Sequence, residues 1–264
     1  MSVPLEGLAA DGLAQLGLSV AAARLDAAAQ RAAAEGWSYS HFLGYLLEGE
    51  LSERRRKRVE LNLHFAKFPY LKRLEDFDYA AQPGVDRRLV EELATGRFLG
   101  EGRNVILLGP PGVGKTHLAI GLGVLTAQLG HRVYFSTAVD LAARLSKAVD
   151  GNRLHRELNT LNQPRLLILD EVGYLSLTAV QASLVFQVVC RRYQRGQSIV
   201  LTSNKAFSEW GSVFGDDAVL AAAALDRLLH RSTVLNIKGE SYRLKEKKKA
   251  GPLKLVDPEK GGGA

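Results

Sequence analysis

The octapeptide Gly109-Pro110-Pro111-Gly112-Val113-Gly114-Lys115-Thr116 constrains this chain more than any other feature. It matches the pattern G-x-x-x-x-G-K-[ST], and its setting fits that pattern. The apolar run Val105-Ile106-Leu107-Leu108 precedes it, as a buried strand would, and His117-Leu118-Ala119-Ile120-Gly121-Leu122 follows as the first turns of a helix. The glycines let the backbone wrap so that its N–H groups face one point, and the helix start adds positive potential there. Such a strand–loop–helix unit takes phosphate. Gly109, Pro110, Pro111, Gly112, Val113, Gly114, Lys115, Thr116 and His117 are the expected nucleotide-binding residues. Lys115 is expected to reach the β- and γ-phosphates of ATP, and the Thr116 hydroxyl to ligate Mg2+.

Five short apolar runs surround this motif, at residues 104–108, 132–136, 166–169, 198–202 and 233–237. They are separated by 20–30 residues or more, enough for helical crossovers. That spacing predicts an α/β fold with a five-stranded parallel sheet covered on both faces. The third run ends in Asp170-Glu171. Carboxylates at the C-terminal end of a buried strand lie where open parallel sheets bind ligands. Asp170 is expected to hold the metal, and Glu171 to polarise the attacking water. The fourth run ends in Thr202-Ser203-Asn204, where Asn204 is a candidate for fixing that water or, alternatively, an Asx cap. Arg227 and Arg231 stand on a helix ahead of the last run, as candidate fingers for a neighbouring subunit's phosphate or as surface partners of Asp226.

The N-terminal third has a different texture. Residues 5–35 are rich in alanine and leucine and predict two short helices broken near Gly17-Leu18-Ser19. Ser38 or Ser40 is expected to cap a third, long helix, and Phe68-Pro69-Tyr70 to end it. The implied organisation is a small helical domain at 1–66, an extended linker at 67–84, the nucleotide domain at 85–243 with a helix at 85–98, and a disordered basic tail at 244–264. The net charge of +7 is uneven, because residues 52–73 alone carry eight Lys or Arg against Glu53 and Glu60. The run Arg54, Arg55, Arg56, Lys57, Arg58 is the candidate DNA contact, with a solvated helix face as the plain alternative. Cys190 is the single cysteine and reads as an inert thiol. No apolar stretch reaches membrane-spanning length and no secretory signal is evident, so a cytoplasmic protein without membrane contact is expected.

Together these pieces resemble the AAA+ ATPases, and within them the IstB-like helper ATPases of insertion-sequence transposition. Bacterial DnaC-type helicase loaders are similar. The resemblance is carried by Ala66-Lys67-Phe68-Pro69-Tyr70-Leu71-Lys72 with Leu74-Glu75-Asp76-Phe77-Asp78, by Lys115-Thr116-His117-Leu118-Ala119, and by Leu169-Asp170-Glu171-Val172-Gly173-Tyr174. Thr202-Ser203-Asn204, Ala224-Leu225-Asp226-Arg227-Leu228 and Gly239-Glu240-Ser241-Tyr242-Arg243 complete it. It implies a P-loop three-layer fold with an extra strand between the Walker A and Walker B strands. It also implies Asp170 and Glu171 as the Walker B pair, Asn204 as sensor 1, and Arg227 as the finger reaching a neighbour's ATP. No C-terminal lid is expected, and Arg243 is a candidate substitute for the lid's arginine. The implied activity is ATP hydrolysis with Mg2+ in a ring or helical homo-oligomer on duplex DNA, in the service of a transposase. A helicase loader, whose N-terminal helices bind a replicative helicase, is the alternative. A monomeric small-molecule kinase has no need of Glu171 beside Asp170, and a DNA-binding module that holds ATP without turnover remains a fourth reading.

Overall fold

The computed structural model describes residues 5–242, and the chain divides into two compact units, Met1–Asn62 and Leu63–Ala264. The expected tail at 244–264 and Arg243 lie outside the described residues.

In the first unit, α1 (Leu5–Gln15) and α2 (Ser19–Glu35) part at Gly17, at the expected break. α3 (Tyr39–Ala66) starts behind Ser38, whose Oγ accepts the His41 N–H at 3.2 Å. Small side chains let the helices approach: Ala21 and Ala28 of α2 and Leu46 of α3 form a buried core. Leu18 supplies no side-chain cap to α2. Glu50 of α3 does so instead, accepting the Val20 and Ala21 N–H groups at 3.0 and 3.4 Å. A carboxylate at a helix start satisfies orphan donors and complements the helix dipole.

The second unit holds the sheet. Its strands are β1 (Asn104–Leu108), β2 (Val133–Thr137), β3 (Leu166–Val172), β4 (Ser198–Ser203) and β5 (Ser232–Asn236), each on its expected apolar run. All pair in parallel in the order β2-β3-β4-β1-β5, so β4 is the extra strand between the phosphate-loop strand and the acidic strand. Helices α4 (Arg87–Ala94), α5 (Arg97–Gly100) and α6 (Lys115–Gln128) lie on one face. Helices α7 (Ala138–Asp150), α8 (Leu154–Leu161), α9 (Ala179–Gln194), α10 (Trp210–Val213) and α11 (Ala218–Leu229) lie on the other. Strand alternation feeds both cores: Val105, Leu107 and Ile168 turn toward α6, while Ile106, Leu167 and Leu169 turn toward α7 and α9. Burying each such side chain contributes about 1.5–3 kcal/mol. A one-residue slip would interchange the faces and is strongly disfavoured.

Two expectations change on the first face. The helix expected at 85–98 is two: α4 is capped by Asp86 and stops at Thr95, and the left-handed Gly96 (φ 74°) turns the chain into α5. The segment 67–84 is not a free linker. Phe68, Leu74, Phe77 and Tyr79 pack into the core around α6. Glycines in α6 make the room: a Cβ on Gly121 would lie 2.6 Å from Leu74 Cδ2, and one on Gly123 would lie 2.7 Å from Phe68 Cζ. On the opposite face Arg192 is fully buried and donates to the carbonyls of Leu161, Pro164, Arg165 and Ser198 at 2.7–3.2 Å. Cys190 is half-buried, and burial raises its thiol pKa, as an unreactive thiol requires. Among the described residues no helix is long and apolar enough to cross a membrane.

Candidate active site

The phosphate loop leaves β1 at the C-terminal rim of the sheet. Gly112 and Gly114 adopt φ values of 82° and 96°, which side-chain-bearing residues rarely adopt. Space forbids a side chain there too: a Cβ on Gly112 would meet Ser241 Oγ at 2.1 Å, and one on Gly114 would meet Phe77 Cε2 at 2.6 Å. The loop ends in α6, whose N-cap Gly114 offers no side-chain acceptor. The helix start therefore faces the loop with its dipole uncompensated by any cap. Lys115 Nζ curls back over the loop and donates to the Gly109 and Pro110 carbonyls at 2.7 and 2.8 Å.

At the second residue of α6, Thr116 Oγ1 lies 3.1 Å from both carboxylate oxygens of Asp170. Asp170 is buried, 4% exposed, at the end of β3. Thr202 of β4 donates to Asp170 Oδ1 at 2.5 Å. The same Thr202 hydroxyl accepts the Glu171 N–H at 2.9 Å. The sheet is irregular at this point. Leu169 pairs with Leu201 and Val172 with Ser203, so β3 spends one residue more than β4. Glu171 is the residue turned out, exposed and left-handed at φ 59°. A non-glycine residue in that conformation costs about 1–3 kcal/mol and is held by its surroundings. Strand alternation alone would send neighbours 170 and 171 to opposite faces; the bulge leaves Asp170 buried and Glu171 solvent-facing on the same rim. Asn204 follows β4 directly, between the ends of β1 and β3, and is exposed. The structure thus gathers Lys115, Thr116, Asp170, Glu171 and Asn204.

The donor set suits the expected ligands. A buried carboxylate and a hydroxyl are hard oxygen donors, as Mg2+ prefers. The glycine loop on an uncapped helix start suits phosphate. Beside the loop lies a cavity of about 330 Å³, walled by Tyr70, Asp76, Phe77, Asp78, Gln82 and Tyr242. Sequence reasoning missed these residues as a site; their aromatic and acidic texture was the only signal. The last described residues close over the loop, with the Tyr242 N–H donating to the Gly112 carbonyl at 2.9 Å and Gln82 Nε2 to the Glu240 carbonyl at 2.8 Å. His117 faces this wall, with Nε2 on the Arg73 carbonyl at 2.8 Å and its ring edge-on to Phe77. A second hollow of about 480 Å³ opens across Thr116, between Tyr134, Thr137, Asp140 and Glu171.

Arg227 and Arg231 are not at this rim. The Asn104 N–H donates to the Arg231 carbonyl, and Asn104 Nδ2 to that of Leu228. The end of α11 therefore adjoins the start of β1, and the phosphate loop its finish. The five residues of β1 separate them by roughly 15 Å, at about 3.3 Å each. Arg227 Nη1 donates to the Ala223 carbonyl at 2.7 Å, and its guanidinium lies over the Phe186 ring at 5.2 Å. The run Arg54 to Arg58 is in the first unit, exposed on α3.

The sequence matches the family described as IstB-like ATP binding protein over residues 11–250. It is 54% identical over 224 residues to an IS21 insertion-sequence ATP-binding protein of Pseudomonas aeruginosa, covering 85% of this chain and 84% of that one. Its identity to an IS5376 ATP-binding protein of Geobacillus stearothermophilus is 46%, covering 89% and 92% of the two chains. Among solved structures, the DnaC helicase loader superposes on 57% of this chain and 87% of its own, with TM-score 0.50 and 25% identity. AMPPCP-bound DnaA from Aquifex aeolicus shares the fold over 67% of this chain and 55% of its own, with TM-score 0.52 and 24% identity. Motif, topology and relatives agree, and the chain belongs to the IstB-like ATP-binding proteins, on a P-loop AAA+ fold.

Proposed function

We propose that this protein is a magnesium-dependent ATPase that assembles with copies of itself on duplex DNA and assists the transposase of an insertion sequence. The linked set Thr116–Asp170–Thr202–Glu171 carries the proposal: one buried metal-ligand acid and one exposed basic acid, tied by a single hydroxyl. In this reading the loop from Gly109 to Thr116 binds the triphosphate, with Lys115 leaving its carbonyls for the β- and γ-phosphates. Thr116 and Asp170 hold Mg2+, which supplies charge neutralisation at the phosphoryl group when bound. Glu171 takes the proton of the attacking water and Asn204 orients it. The cavity beside Phe77 and Tyr242 receives the base. Arg227, too far from its own loop, acts on a neighbour's nucleotide, so hydrolysis and assembly are coupled. The relatives' insertion-sequence names support the transposase partnership, and the basic run on α3 supports DNA.

Glu171→Gln should bind ATP as the wild type does and lose turnover by roughly 10²- to 10⁴-fold; an unchanged rate would refute the hydrolytic reading. Arg227→Ala and Lys115→Ala proteins, each inactive alone, should recover activity when mixed. Failure to complement would remove the neighbour-directed role of Arg227. The likeness to the DnaC helicase loader favours a second reading, in which the first unit binds a replicative helicase. Fluorescence anisotropy on duplex DNA, set beside pull-down on a helicase hexamer, separates the two: DNA binding without helicase capture supports the first, and the reverse the second.

A further inference from the structure

The five cations at residues 54–58 are unequal. Arg54 donates to Glu50 Oε1 at 3.3 Å and to the Gly17 carbonyl at 3.2 Å, fastening α3 to the turn between α1 and α2. Arg56 is gripped twice, by Glu53 at 2.7 and 2.8 Å and by Glu60 at 2.5 Å. Lys57 Nζ is 3.5 Å from Glu53 Oε1. The Arg56 guanidinium holds the Glu53 carboxyl down to about 2, so that acid stays charged at any working pH. Arg55 and Arg58 are exposed and make no ion pair or hydrogen bond among the described residues. Three residues apart on a helix, they share a face with Cβ atoms about 5–6 Å from each other.

A cation held by a carboxylate gains little from a phosphate. It must give up its partner, and the bared carboxylate then repels the same phosphate. A free arginine releases counterions from DNA at no such cost. We propose that Arg55 and Arg58 are the phosphate-contacting pair of this helix, and that Arg54, Arg56 and Lys57 maintain its structure and charge pattern without contacting DNA. This rests on the DNA-binding reading above.

The test is the salt dependence of duplex affinity, measured by anisotropy on the full chain with ATP. Each lost phosphate contact should lower the slope of log K against log salt by about 0.9. Arg55→Ala and Arg58→Ala should each do so, and Arg55→Lys should restore the slope. Arg56→Ala should change it by less than about half as much, and Glu60→Gln, which loosens Arg56, should steepen it. Arg54→Ala should lower the melting temperature and leave the slope in place. An Arg56→Ala effect equal to that of Arg55→Ala, or a wild-type slope in the Arg55→Ala/Arg58→Ala double variant, would overturn the assignment. A wild-type protein with no salt-dependent binding to DNA would instead remove the reading beneath it.

Discussion

Thr202→Val isolates one hydroxyl on which both acids of the site depend. Valine matches threonine in shape, so the fully buried position stays filled and the change is chemical. Two bonds go: the 2.5 Å donation to Asp170 and the 2.9 Å acceptance from the Glu171 N–H. A hydrogen bond to a charged group contributes about 1.5–3 kcal/mol. Asp170 keeps Thr116 as a donor, so its loss falls toward the lower figure. Glu171 loses the contact that steadies its left-handed backbone, whose strain is about 1–3 kcal/mol. If only the bulge geometry points Glu171 at the reacting water, that energy appears in the barrier, and turnover falls roughly ten- to a hundredfold. Steady-state ATPase rates across a magnesium titration are the assay, with a raised magnesium midpoint reporting the Asp170 part. Thr202→Ser keeps the hydroxyl and should stay within about threefold of wild type. A Thr202→Val protein with wild-type turnover and magnesium midpoint would show that neither acid needs this hydroxyl.

Lys115→Ala should abolish nucleotide binding measured by fluorescent-analogue titration; retained affinity would defeat the phosphate-loop assignment. Arg192→Met should cost at least about 3 kcal/mol in urea unfolding, because two buried and two part-buried carbonyls lose their donor, with nucleotide affinity of the folded protein unchanged. A loss under about 1 kcal/mol would mean that water reaches those carbonyls. Gly123→Ala should destabilise by about 1–2 kcal/mol despite alanine's better helix propensity, since its Cβ would press on Phe68 and Ile168 at 2.7 Å. Phe68→Leu in the same chain should recover part of that, and a Gly123→Ala protein stabler than wild type would show the ring to be elsewhere.

The sheet was legible because buried parallel strands write themselves as apolar runs, and every run at 104–108 through 233–237 carries a strand. The phosphate loop was legible for a related reason: its glycines, lysine and threonine sit where backbone geometry and phosphate charge leave little choice. The Asp170-Glu171 pair was legible in the sequence, as was the expected split between a metal-holding and a water-polarising acid; the backbone geometry that separates the two side chains was not. That geometry comes from the bulge opposite Thr202, and nothing in the residue types of β3 announces a left-handed glutamate. Likewise Arg227 was legible as a cation on a helix, whereas its place at the far rim follows from how α11 returns to the start of β1.

The segment 67–84 shows why local texture misleads. It has Pro69, Pro83 and Gly84, acids among aromatics, and no periodicity, all of which describe a linker. Its partner lies about fifty residues further along, in a helix whose interior holds Gly121 and Gly123. Each glycine weakens an isolated helix by about 0.5–1 kcal/mol. That cost is offset by the side chains admitted: Phe68 seats against Gly123, Leu74 against Gly121 and Phe77 against Gly114. All three contacts run along one helix and end at the phosphate loop. A displacement of this strap would therefore move the wall of the cavity beside the loop and the ring that bars a side chain at Gly114 together. The proposed nucleotide pocket is thus built by two stretches that neither propensity nor motif connects, and the glycines of α6 are the only trace of the other half that the helix itself carries.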